Sequence, residues 1–167
     1  FARKEIEKAI CIVISGYFGG LRGEEIAKGD RGAMMDRWKD SMSHEETPFV
    51  PLTLLGRFKR ETGEKVFVQP LAAVTKGGRS LEIWFAKLLT SFKREGKDQG
   101  PLFPNDKEKA MTISEMDVLF HALLSEVQKR NPAAIPDHIK VEESYSVSRS
   151  LRRLSLIHIS EPTRRKH

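Results

Sequence analysis

From residue 3 to 18, Ile6, Ala9, Ile10, Val13, Ile14 and Tyr17 recur at helical intervals, which predicts a core helix. Gly19-Gly20 ends it, and Leu21 to Ala27 has room for a short second helix. Residues 28–47 are polar and glycine-bearing, with Met34, Met35 and Trp38 predicting only a short helical turn. The period then changes. Phe49–Leu55 and Val66–Gln69 are rich in β-branched and aromatic residues, and the stretch 56–65 between them is polar. Two strands around a charged tip predict a β-hairpin, with Pro51 placing the first strand at an edge or near its start.

Thr75-Lys76-Gly77-Gly78 reads as a turn, and Leu81, Trp84, Phe85, Leu88 and Leu89 form the next helical stripe. Residues 93–106 read as a loop that buries only Leu102 and Phe103. Thr112 or Ser114 caps a third long helix, with Glu115 near its start. Its expected inner face is Met116, Val118, Leu119, Leu123, Leu124 and Val127. NPAAIPDH (131–138) breaks that helix, and a last one begins near Ser146. The expected class is mainly α with a small antiparallel β-sheet, an α+β fold, without internal repeats.

Composition adds bounds. A chain of 167 residues is one domain or a piece of one, and 39% hydrophobic content suffices for a core. The longest apolar run, residues 9–20, is cut by Gly16, Gly19 and Gly20, so it reads as a buried helix and no membrane partner is expected. No signal peptide is visible, and the start FARKEIEK without Met suggests a fragment. One cysteine, Cys11, excludes a disulfide framework and suits a reducing, intracellular compartment. The formal charge is +6; Arg164, Arg165 and Lys166 against Glu161 give the tail +2, leaving +4 for the rest. That balance permits nucleic-acid binding without demanding it.

Three basic points carry candidate chemistry. Arg22 follows a helix break, so its guanidinium can point into a cleft, with Glu25 three residues on to orient it; alone, it reads as a surface ion pair. Lys59 and Lys65 flank the hairpin tip, from which a lysine can reach a partner and donate a proton; alone, they read as a solvated turn. Arg149 and Arg152 lie on one helical face, where a guanidinium fork matches two phosphate oxygens; alone, they read as an exposed basic helix.

Together the motifs resemble the tyrosine recombinase (phage-integrase) family from about residue 3 to 153. GLRGEEI is similar to its first arginine box, GRFKRETGEKVFVQPL to the hairpin with the catalytic lysine, GPLFPND to a loop that commonly reads Leu-Phe-Pro, and YSVSRSLRR to the second box. Each is weak alone; four in order are more specific. The resemblance implies a DNA breaking-and-rejoining enzyme acting in site-specific recombination or integration, often in mobile elements. A tyrosine attacks a phosphodiester, leaves a 3′-phosphotyrosyl link and frees a 5′-hydroxyl, with neither metal nor cofactor. Fixed guanidinium groups stabilise the charge that develops on the non-bridging oxygens. By resemblance these are Arg22 and Arg152. Lys59 is the first choice for the acid that protonates the leaving oxygen, Lys65 the alternative, and Glu25 holds Arg22. Arg149 stands where the family usually has His; it can bind phosphate but cannot shuttle a proton near neutral pH. The implied partner is double-stranded DNA, with a homotetramer assembling on it.

The family continues with a third box of His or Trp and then the nucleophile, and neither follows Arg153 here. Tyr17 and Tyr145 precede Arg152, so no tyrosine stands in the nucleophile's place. LSLIHISEPTR (154–164) looks like the translation of a transposase-type sequencing adapter. The expectation is a catalytic-domain fragment over 1–153 and a non-native tail over 154–167, so that His158 and His167 carry no function and the fragment itself is inactive.

Other chemistries fit poorly. GRFKRETGEK lacks the P-loop pattern, Ser43-His44-Glu45-Glu46 is not a zinc HExxH, and His121 and His138 have no ligand partners at metal spacing. His121 reads as structural. Two rivals remain: a non-catalytic DNA-binding protein with a degenerate recombinase fold, and a helical interaction domain without a nucleic-acid role.

Overall fold

Helix α1 (Arg3–Tyr17) is the centre of the molecule, because its apolar residues are not confined to one stripe. Ala9, Cys11, Ile12 and Ile14 are all buried, and Glu7, Lys8 and Ser15 are buried with them. Burying polar groups costs free energy unless they are bonded. Lys8 Nζ donates to the Pro104 carbonyl at 2.8 Å and lies 3.2 Å from the Glu5 carboxylate. The Ser15 hydroxyl donates to the Cys11 carbonyl at 2.7 Å. A computed structural model describes residues 2–44, 46–56 and 66–147. Within them α1 packs between helices α4 (Glu82–Arg94) and α5 (Ile113–Arg130).

After α2 (Gly23–Ile26) the chain forms α3 (Arg31–Met42), a twelve-residue helix where only a short turn was expected. Its buried positions are Arg31, Gly32, Met34 and Ser41, of which one is a large apolar residue, so no hydrophobic stripe announces it. The Asp30 carboxylate starts it by accepting from the Ala33 amide at 2.9 Å.

Strands β1 (Phe49–Leu55) and β2 (Val66–Ala72) pair antiparallel, with Phe49 opposite Ala72 and Leu55 opposite Val66. The first strand has the expected limits; the second runs three residues further. Pro51 faces Pro70, so the two residues that lack an amide share one position of the ladder. β1 is covered on its other side as well. Asp30 N–H donates to Thr53 O and Leu55 N–H to Lys28 O, both at 2.9 Å. That pairing touches only the far end of β1, which leaves Pro51 clear of it. The ladder continues outward: Leu102 N–H donates to Gly29 O at 2.8 Å, and Met111 N–H to Phe103 O at 3.1 Å. The 100–111 loop is thereby tied to the sheet, burying Pro104 along with the expected Leu102 and Phe103.

Thr112 and Glu115 form a reciprocal capping box at the start of α5. Met116, Leu119 and Phe120 are buried, and Leu123 and Leu124 pack beside the core. Val118 and Val127 are corrections to the expected inner face. Val118 is 70% exposed, because two residues from Met116 means about 200° round the helix. Val127 lies in the last turns, where the core has ended. A four-residue helix α6 (Val141–Ser144) follows. The helix expected from Ser146 falls almost wholly outside the described residues. The class is α+β: helices with one two-stranded antiparallel sheet.

Candidate nucleic-acid interface

The turn that carries Arg22 is shaped by glycine at two positions. A Cβ on Gly19 would stand 2.5 Å from the Ser15 carbonyl oxygen, and Gly20 has φ +64°. The reversal buries Leu21 and leaves Arg22 exposed as the N-cap of α2. An arginine side chain has no acceptor and cannot cap. Glu25 does it instead: its Oε1 accepts from the Arg22 amide at 3.0 Å, and its own amide donates to the Arg22 carbonyl at 3.0 Å. Glu25 therefore fixes Arg22 through the main chain. The next residue, Gly23, sits against Ile113, the first residue of α5: a Cβ there would be 3.3 Å from Ile113 Cγ1.

The end of the described chain is held on the same helix. Asp117 Oδ1 accepts from the Val147 amide at 2.7 Å, and one turn further His121 Nε2 lies 2.6 Å from the Tyr145 carbonyl oxygen. Val147 is fully buried. Asp117 is one turn from Ile113, so the Arg22 turn and the segment leading to Arg149 converge on the first turns of α5. Arg149, Arg152, Lys59 and Lys65 lie outside the described residues; Leu55 and Val66 mark where the hairpin tip departs. Of the six candidate residues, Arg22 and Glu25 are described and adjacent. Sequence reasoning passed over Asp117, whose i,i+4 spacing with His121 was its one signal. His121 holds main chain. Tyr17, expected in the core, is half-buried at the end of α1 and meets Phe18 edge-on at 4.8 Å.

Arg31 was also missed, and it organises the loop behind α5. Its side chain is 1% exposed and donates to the carbonyls of Lys97, Gln99 and Pro101 at 2.9–3.2 Å. Burial lowers its pKa, and the nearby Glu108 carboxylate, 3.9 Å away, acts in the opposite direction. Glu108 pairs with Lys97 at 2.9 Å, Lys97 with Glu95 at 3.5 Å, and Glu95 with Lys4 at 2.9 Å. Hydrogen bonds from these lysines hold both carboxyls below the usual range.

Basic and acidic side chains balance among the described residues, so the net charge of +6 comes from the hairpin tip 57–65 (+2) and the tail 148–167 (+5), less Glu45. Among the described residues no group of three or more His, Cys, Asp or Glu is placed to hold a metal ion. Nor is any helix there long and apolar enough to cross a membrane. Chemically, the described part offers an exposed guanidinium on a fixed turn, able to take two oxygens of one phosphate. No protein-family model, curated protein or solved structure matches the chain.

Proposed function

We propose that the chain is the phosphate-binding body of a tyrosine recombinase-type protein, acting in site-specific DNA recombination or integration. In this reading Arg22, Arg149 and Arg152 surround one phosphodiester and stabilise the charge that develops on it. Lys59, or Lys65, protonates the leaving 5′-oxygen, and Glu25 keeps Arg22 in position. The attacking tyrosine is neither Tyr17 nor Tyr145, so binding rather than cleavage is the activity expected of these 167 residues. Copies of the parent protein assemble as a tetramer on the duplex.

One observation carries the reading: the Arg22 turn and the Val147 segment meet on the first turns of α5, through Ile113 and Asp117. That supports bringing two arginine boxes, over a hundred residues apart in sequence, to one anion. The basic excess of 57–65 and of Arg149, Arg152 and Arg153 agrees with it.

Fluorescence anisotropy with a short DNA duplex tests it. The affinity should fall with salt, with a log–log slope of about −3 for three to four phosphate contacts. Arg22→Ala should weaken binding about tenfold and lower the slope by about one, with folding intact. A salt-insensitive signal, or an Arg22→Ala variant that binds like the parent, would sink the proposal. Arg149 in place of the family's His favours a second reading, a non-catalytic DNA-binding protein of the same fold. The reading frame after codon 153 of the source gene separates the two, by the presence or absence of a third-box His or Trp and a tyrosine.

A further inference from the structure

We infer that the groove between α1 and α4 is a docking site for an acidic amphipathic helix of a partner protein. The groove has a volume of about 700 Å³, and its lining mixes apolar Ile6, Ile83, Trp84 and Ala86 with polar Thr90 and Ser91. Ile83 is 45% exposed, on the face of α4 away from the buried Phe85, Leu88 and Leu89. Three cations stand around this groove: Arg3, Lys87 and Arg94. None of them forms an ion pair among the described residues; Lys87 lies instead over the Trp84 ring, 4.8 Å from its centroid. On α1, by contrast, Lys4 is matched by Glu95 and Lys8 by Glu5. Apolar residues set between positive edges fit a helix that presents apolar residues at i, i+3, i+4 and i+7 between flanking carboxylates.

Nucleic acid fits less well. The buried Glu7 carboxylate lines the same groove, 3.4 Å from the Ser91 hydroxyl, and a phosphate backbone would face it while leaving Ile83 and Ile6 in water. A peptide helix buries those side chains and keeps its carboxylates at the rim. This site is separate from the Arg22 turn, so the inference stands or falls independently of the DNA reading.

The test is titration of the full chain with a synthetic helical peptide of about 16 residues, long enough to hold some helix alone. It carries leucine at i, i+3, i+4 and i+7, with glutamate flanking them, and is read by Trp84 fluorescence. Trp84→Phe serves as the control for Trp38. Saturable binding is expected, weakened at least tenfold by Arg94→Glu and by Lys87→Glu, and lost in Ile83→Asp. Thermal melts show whether each variant is folded, and Arg3→Glu replaces any that is not. The same peptide with lysine flanks should not bind. Three results would overturn the inference: no saturable binding, equal binding of both peptides, or displacement of the acidic peptide by a DNA duplex in an Arg22→Ala background.

Discussion

The Arg31 guanidinium lies over Phe92, with its central carbon 3.6 Å from the ring centroid. Phe92 is itself fully buried on α4, so the contact joins α3 to α4 while the guanidinium's hydrogens go to the 97–101 loop. Arg31→Met keeps much of the volume but leaves the carbonyls of Lys97, Gln99 and Pro101 without this donor. Hydrogen bonds from a charged donor contribute about 1.5–3 kcal/mol each, but water can replace those at the exposed residues Lys97 and Gln99, so the loss should be roughly 3 kcal/mol. Urea unfolding monitored by circular dichroism measures it. Arg31→Lys should recover only part, because one ammonium cannot span three carbonyls.

The chain Lys4–Glu95–Lys97–Glu108 predicts a pH dependence. Both carboxyls titrate below the usual range in the folded protein, first because of hydrogen bonds from Lys4 to Glu95 and from Lys97 to Glu108. A depressed folded pKa adds stability that is present above the unfolded value and is lost as pH falls through the folded value. Lys97 is raised, chiefly by its bond to Glu108, so its share is present below the ordinary lysine range and lost above it. Melting temperature should fall at both extremes and less steeply in Glu108→Gln. All three groups are exposed, so the effect is small and should shrink in high salt.

Gly19 and Gly20 should respond differently to substitution. Gly19→Ala drives a Cβ to 2.5 Å from a backbone oxygen, which cannot swing aside. The turn must shift, at a cost of about 1–3 kcal/mol, and Arg22 shifts with it, so DNA affinity should drop along with stability. Gly20 has open space around it but a positive φ. Gly20→Asn should therefore cost little, and Gly20→Val more. Paired melting and anisotropy measurements distinguish the two cases.

Asp117→Ala removes the acceptor of the Val147 amide. The loss should be about 1.5–3 kcal/mol, the range for a hydrogen bond to a charged group. Its sharper signature is local: amide exchange at Val147 should accelerate while the α1 core stays protected. Unchanged exchange at Val147 would mean that burial of its side chain alone holds the segment.

The hairpin was legible because β-branched and aromatic content, proline placement and a polar tip agree over Phe49–Leu55 and Val66–Gln69. The α5 cap was legible because Thr112 and Glu115 satisfy each other locally. α3 was not, because its buried face is arginine, glycine, methionine and serine, and a buried arginine looks like a surface residue until its acceptors are known. Val118 misled for the opposite reason: an apolar residue on the solvent side of a helix carries the same letter as a core residue.

Local physics thus sits in the sequence: helix and strand periods, the Gly19-Gly20 break, the capping residues and the basic clusters. The partners of those clusters do not. That Glu25 grips Arg22 by its main chain, and that Arg31 is swallowed by a loop seventy residues away, depend on contacts between distant segments. So does the meeting of Gly23 and Val147 on neighbouring turns of α5. Side-chain identity sets what a residue can bond; only the packed chain decides which distant groups come within reach.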